Sequence, residues 1–178
     1  MKGLIPSKPL IYKVNLQNQF TMQSTIQKKI NLYQLYFPKY DEIVFSLVKK
    51  ILEQKQRAVI FGENKNLIDL LDNSLWTSGR GSFLPHSKLG ELENEKQPVL
   101  LIENKISLLE QTYIFDNLII LEGLDIPNSY LEKFNNIFII LDRASNSFND
   151  VKQLISKDLG KNYKISPFIQ KEDGKWGG

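Results

Sequence analysis

Residues 58–76 read AVIFGENKNLIDLLDNSLW. The first four side chains are apolar at both odd and even positions, the pattern of a strand buried on both faces. Gly62 ends that run. Asn64 is a candidate N-cap, and Leu67, Leu71 and Leu75 then recur every four residues along one face of a helix over 64–76. A doubly buried strand that runs straight into an amphipathic helix is the repeating half of an α/β fold.

The same alternation extends in both directions. INLYQLYF (30–37) sets Ile30 and Leu32 among polar neighbours, turns aromatic, and is stopped by Pro38. A helix near 40–55 follows, with Ile43, Leu47 and Ile51 on one stripe beside Val44, Val48 and Leu52. PVLLI (98–102), NLIIL (117–121) and IFIIL (137–141) read as further buried strands. Ser129 and Glu132 have capping-box spacing ahead of a short helix with Tyr130, Leu131 and Phe134. A last helix is capped by Asn146 or Ser147, buries Phe148, Val151, Leu154, Ile155 and Leu159, and ends at Gly160. The expected fold is a three-layer α/β/α sandwich with a mainly parallel sheet of about five strands. Residues 30–178 form that domain with an extended C-terminal tail. Residues 1–29 show neither period and are expected as a loosely ordered extension, with Met22 a plausible alternative start.

Composition narrows the chemistry. The chain has 178 residues, 42% hydrophobic and 24% charged, enough to bury about two thirds of its unfolded surface. It lacks cysteine and has one histidine, which argues against disulfides, thiolate nucleophiles and Cys- or His-based metal sites. No metal or cofactor is expected. The net charge of +3 is mild, and apart from Arg57, Arg80 and Arg143 the basic residues are lysines, a poor set for bidentate phosphate reading. No apolar run reaches membrane-spanning length and no secretory leader is apparent, so the expected place is the cytoplasm.

An α/β sheet invites a nucleotide at the carboxyl ends of its strands. The turn after AVIF is GENKN, with one glycine and no G-K-[ST], so it lacks the phosphate loop. Glu63, Glu103, Glu122 and Asp142 stand at strand ends. They are either general acids and Mg²⁺ ligands or simply the polar residues at which buried strands reach water. A nucleotide-dependent α/β enzyme is the alternative reading they support. His86 has no triad-like neighbours and is read as satisfying backbone groups in a turn.

The loop 75–90, LWTSGRGSFLPHSKLG, holds more apolar surface than a loop needs. Trp76, Phe83 and Leu84 either fold back as a satellite core or form a patch for a partner. With Arg80, the two rings also hint at a single-strand nucleic-acid platform. LWTSGRGSFLPH (75–86) resembles the signature of the chi subunit of bacterial DNA polymerase III. DNSLW, PVLLI, DNLIILEGLDIP (116–127) and FNNIFIILD (134–142) follow in that family's order, and FIQKEDGKWGG (168–178) is similar to the endings of longer members. The resemblance covers about residues 30–176.

What the resemblance implies is a non-catalytic accessory subunit with a nucleotide-binding-like sandwich that lacks the phosphate loop. It would couple the clamp-loader side of the replicase to the acidic C-terminal tail of single-stranded DNA-binding protein, and would touch DNA only indirectly. Trp76, Phe83, Leu84 and Pro85 would contact a psi subunit, its equivalent, or a helicase-like protein. Lys152, Lys157, Lys161, Lys164 and Arg143 would receive the acidic tail. Here ISKDLGK (155–161) departs from the family, which has an arginine and then an aromatic–lysine pair, so weakened or rearranged tail binding is expected.

Overall fold

The computed structural model describes residues 28–77, 83–91, 96–103, 114–123, 126–144, 147–158 and 162–177. In chain order these form β1 (Lys28–Leu35), α1 (Tyr40–Glu53), β2 (Ala58–Gly62), α2 (Lys65–Thr77), β3 (Ser87–Lys88), β4 (Val99–Glu103), β5 (Asn117–Leu121), α3 (Asn128–Leu131), β6 (Asn136–Asp142), α4 (Ser147–Asp158), β7 (Tyr163–Gln170) and β8 (Trp176–Gly177). The strands make one sheet in the order β3-β4-β2-β5-β6-β1-β7-β8. Every pair is parallel except β7–β8.

Alternation along each strand sorts the core into two layers. Ile30, Val59, Phe61, Leu118, Ile120, Ile137 and Ile139 face one side, where Phe148, Val151 and Ile155 of α4 and Leu131 of α3 cover them. Leu35, Ala58, Ile60, Ile119 and Ile140 face the other, against Val44, Leu47, Val48 and Ile51 of α1 and Leu67, Ile68, Leu71 and Leu75 of α2. Each of these Val, Leu, Ile and Phe side chains contributes about 1.5–3 kcal/mol by leaving water. At the sheet's amino edge, Asn117 is buried but satisfied. Its amide donates to Gln56 Oε1 at 3.2 Å and to the Arg57 carbonyl at 3.1 Å, and its oxygen accepts from Asn136 at 3.1 Å.

The α/β class and parallel sheet agree with the sequence, but the sheet has eight strands rather than about five. Residues 163–177 are not a loose tail. β7 lies parallel to β1 from Lys28↔Tyr163 to Gln34↔Ile169. β8 folds back on it through a turn in which the Lys171 amide donates to the Lys175 carbonyl at 2.8 Å. That turn needs Gly174, whose φ is +79°. The expected capping box also fails. α3 starts at Asn128 behind Pro127, with no side-chain cap, so Ser129 is already inside the helix. Lys28 and Lys29 belong to β1, while residues 1–27 lie outside the described residues, as do Asn146, Leu159 and Gly160. Among the described residues, no helix is long and apolar enough to cross a membrane.

Candidate partner-binding surfaces

The turn after β2 is closed by the protein's own groups. Asn64 Oδ1 accepts from the Leu67 amide at 3.3 Å, which caps α2 where a phosphate loop would present free amides. A Cβ on Gly62 would meet Ile68 and Leu121 at 3.4 Å, so no empty cradle lies behind it. Glu63 is exposed and Glu103 stands 4.0 Å from Lys65. The Tyr40 hydroxyl is pushed well above the tyrosine range, first by burial and then by the charges of Asp142 and of Glu122, whose φ is +58°. Among the described residues, no three His, Asp or Glu side chains group as a metal site would require.

The corner at the end of α2 is different. The buried stripe of α2 ends with Ser74 and Leu75, so the next residue, Trp76, is turned about 100° toward the flank. Trp76 is 53% exposed and Phe83 59% exposed, yet they stack on each other with centroids 5.5 Å apart and planes within 16°. Leu84 does the opposite. Its amide donates to the Leu75 carbonyl at 2.9 Å and its side chain is buried with the α1–α2 layer. The two readings of the loop therefore divide between neighbours: Leu84 is core, while Phe83 and Trp76 are displayed. Of the residues implied for the clamp-loader side, Leu84 is buried while Trp76 and Phe83 are exposed. Pro85 is half-buried, and residues 78–82, Arg80 included, lie outside the described residues.

Below the rings, His86 is buried. Nδ1 lies 2.6 Å from the Leu84 carbonyl oxygen and Nε2 lies 3.1 Å from Asp72 Oδ1. The turn role expected for His86 is present, and Asp72 adds a partner from a separate element. Lys88 of β3 bridges Asp69 at 2.8 Å and Asp72 at 3.0 Å. Those two hydrogen bonds, Asp69's first, raise the Lys88 ammonium above its ordinary range, and the Lys88 bond holds Asp69 below the usual carboxylate range.

On the other face, α4 presents Asn149, Lys152, Gln153, Ser156 and Lys157 along an open groove of about 680 Å³. Their spacing is that of one helix stripe. The Ser156 hydroxyl turns back to the Lys152 carbonyl at 2.7 Å, which leaves the lysines as the groove's charged groups. Lys164, exposed on β7, pairs in register with Lys29 at the sheet's amino edge, the end toward which α4 runs. Arg143, four residues before α4 begins, stands away from Lys164. It follows Asp142, the partner of Leu35, at the opposite edge of the sheet, about 20 Å away along the strands. Its guanidinium lies over the Tyr36 ring, 4.8 Å from the centroid. Lys161 lies outside the described residues. Tyr163, the aromatic at the start of β7, is buried, donates to the Leu131 carbonyl at 2.8 Å, and is pushed up to about 12, first by burial and then by Glu132.

The sheet order sets the distance between these surfaces. β3, beside the Trp76 corner, and β7, beside Lys164, are six strand spacings apart, about 29 Å. The helices that carry them, α2 and α4, lie on opposite faces.

A third feature was not legible in the sequence. Tyr33 stacks on Phe168 at 4.8 Å and meets the edge of Trp176 at 5.5 Å. These rings fasten the C-terminal hairpin to β1 and floor a cleft of about 440 Å³ against α1, with Lys39 and Lys50 on its rim. The aromatic residues of the tail were visible, but their common neighbour Tyr33 is over 130 residues away in the chain.

The chain is similar to known proteins in sequence and in fold. The chain is 24% identical over 168 residues to a "Probable DNA polymerase III subunit chi" of Rickettsia prowazekii (strain Madrid E), covering 89% of this chain and 97% of that protein. The C-terminal domain of the DEAD-box protein Dbp5 superposes with a TM-score of 0.50 at 14% identity, over 80% of this chain and 92% of that one, a likeness of fold alone. The family described as "DNA polymerase III chi subunit, HolC" matches residues 28–153, which take in the Trp76 corner and the start of α4. The chain belongs to the DNA polymerase III chi subunit family, and its setting is DNA replication.

Proposed function

We propose that the protein is a non-catalytic coupler in the replicase. The Trp76–Phe83 corner takes the clamp-loader side, a psi-like subunit or a helicase-like protein. The α4 groove takes the acidic C-terminal tail of single-stranded DNA-binding protein. The observation that carries this reading is the separation of the two surfaces, whose helices α2 and α4 lie on opposite faces of one sheet. Two partners held that far apart do not exclude each other. Stacked, half-exposed rings have the composition of an interface hot spot. Lys152 and Lys157 supply charge that attracts an acidic peptide without fixing its register. Among the described residues no aromatic lines that groove, which favours a weak tail contact steered by charge.

The test uses the full chain and the tail peptide of the source cell's own single-stranded DNA-binding protein, titrated at low and then physiological salt. Binding that weakens with salt and is lost in Lys152→Glu/Lys157→Glu supports the tail site. No binding even at millimolar peptide and low salt removes it. The clamp-loader half is read by pull-down from the source cell with wild type and with Trp76→Ala/Phe83→Ala. A replicase or helicase-like protein retained by both rejects that surface.

A further inference from the structure

His86 is the one histidine in the chain, and its side chain is fully buried. Nδ1 faces the Leu84 carbonyl oxygen at 2.6 Å, and a carbonyl only accepts. Nε2 faces Asp72 Oδ1 at 3.1 Å, and an ionised carboxylate only accepts. A neutral imidazole has one N–H. It can serve one of these oxygens and must turn a lone pair toward the other. The doubly protonated ring serves both. Among the described residues, the other charged groups around this contact are Lys88 on β3, 3.0 Å from Asp72 Oδ2, and Asp69 on α2, 2.8 Å from Lys88. Lys88 offsets part of the Asp72 charge but brings no hydrogen to Nε2.

The two oxygens belong to the two arms that carry the exposed rings. Asp72 lies one turn before Trp76 on α2. Leu84 is bonded to Phe83. The imidazole also packs on the Trp76 ring, with centroids 4.9 Å apart and planes 55° apart. We propose that His86 is the positioning residue of the Trp76–Phe83 pair and holds the two rings in register only while both of its nitrogens carry hydrogen, which makes this surface responsive to pH. The part of this that concerns a partner rests on the clamp-loader reading above. The part that concerns the rings does not.

A single histidine makes the test direct. Protein labelled with ¹⁵N-histidine is followed by NMR from about pH 5 to about pH 9, across the ordinary histidine range, alongside the ring-to-ring NOE between Trp76 and Phe83. No partner is added, so the result is independent of the pull-down. The expected result is two protonated ring nitrogens at the acid end and one at the alkaline end, with the NOE fading over the same midpoint. Asp72→Asn offers an amide hydrogen to Nε2, so a neutral ring then satisfies both contacts and the NOE should persist to the alkaline end. His86→Gln has a single donor nitrogen and should lose the NOE at every pH. One protonated nitrogen throughout with the rings still in contact overturns the proposal, as does an NOE unmoved when the second hydrogen leaves. Should the ring stay doubly protonated over the whole range, a folded His86→Gln decides: a surviving NOE overturns the proposal and a lost one supports it. If His86→Gln does not fold, Asp72→Ala serves in its place: it cuts the tie from His86 to α2, so a surviving NOE overturns the proposal and a lost one supports it.

Discussion

The Trp76 corner and the α4 groove sit on the same sheet but are built in opposite ways. At the corner each exposed ring is backed by fixed groups: Leu84 in the core, its amide on Leu75, and the His86–Asp72–Lys88 chain beneath. On α4, Lys152 and Lys157 are long, solvated side chains on an open helix face. While His86 holds the two rings in register, the geometry of the corner is in place and little ordering entropy remains to be lost on binding. The groove offers charge without geometry, which speeds encounter and fades with salt. Under the proposed function, such a coupler would hold one partner by shape and sample the other by charge.

The sharpest way to break this contrast is to swap core for display. Leu84→Ala should destabilise the chain by about 2–4 kcal/mol, as cavities in packed cores do, while Phe83→Ala, one residue away, should stay within about 0.5 kcal/mol of wild type. Paired denaturant melts read both, and equal losses would erase the division between the two residues. Next, Trp76→Ala/Phe83→Ala should weaken capture of the clamp-loader partner at least about tenfold, the scale of hot-spot truncation, at unchanged thermal stability. Lys152→Glu/Lys157→Glu should lower tail-peptide affinity several-fold and flatten its salt dependence, with no change in the melt.

Smaller effects sharpen the comparison further. Asp69 is held below its ordinary range, so its pairing with Lys88 stabilises the fold above that range and is lost as pH falls through the lowered value. The stability gap between wild type and Lys88→Met should hold through neutral pH and close below about pH 4; a gap that persists in acid rejects the ion pair as its cause. Least of all, Arg143→Ala should change tail binding less than the α4 lysine variants do, because Arg143 does not line the groove and its guanidinium lies over Tyr36. An equal loss of affinity in that variant would mean the tail extends past the amino end of α4.

The central strands were legible because they are apolar on both faces. AVIF and NLIIL allow no other place in a sheet with helices on both faces, and AVIF runs into the amphipathic α2. β7 was hidden for the converse reason. It lies toward the edge, mixes Lys164 and Ser166 with Pro167, and pairs with β1 from the far end of the chain. Asn64 showed as a cap because the bond is local. Ser129 misled because Pro127 had already started the helix. Charge type grouped Arg143 with the lysines, and the direction of β6 separates them.

The sequence by itself determined the α/β class, the helix stripes, the absence of a glycine-rich phosphate loop and the concentration of apolar residues in the loop after α2. These follow from periodicity and local bonding, which act over a few residues. Only the tertiary structure decided that Leu84 turns inward while Phe83 turns out, that His86 meets Asp72, and that α2 and α4 lie on opposite faces of the sheet. Phe83 and Leu84 are equally hydrophobic neighbours. A backbone bond to Leu75 and the space left between α1 and α2 choose between them, and both depend on parts of the chain that composition and periodicity do not relate.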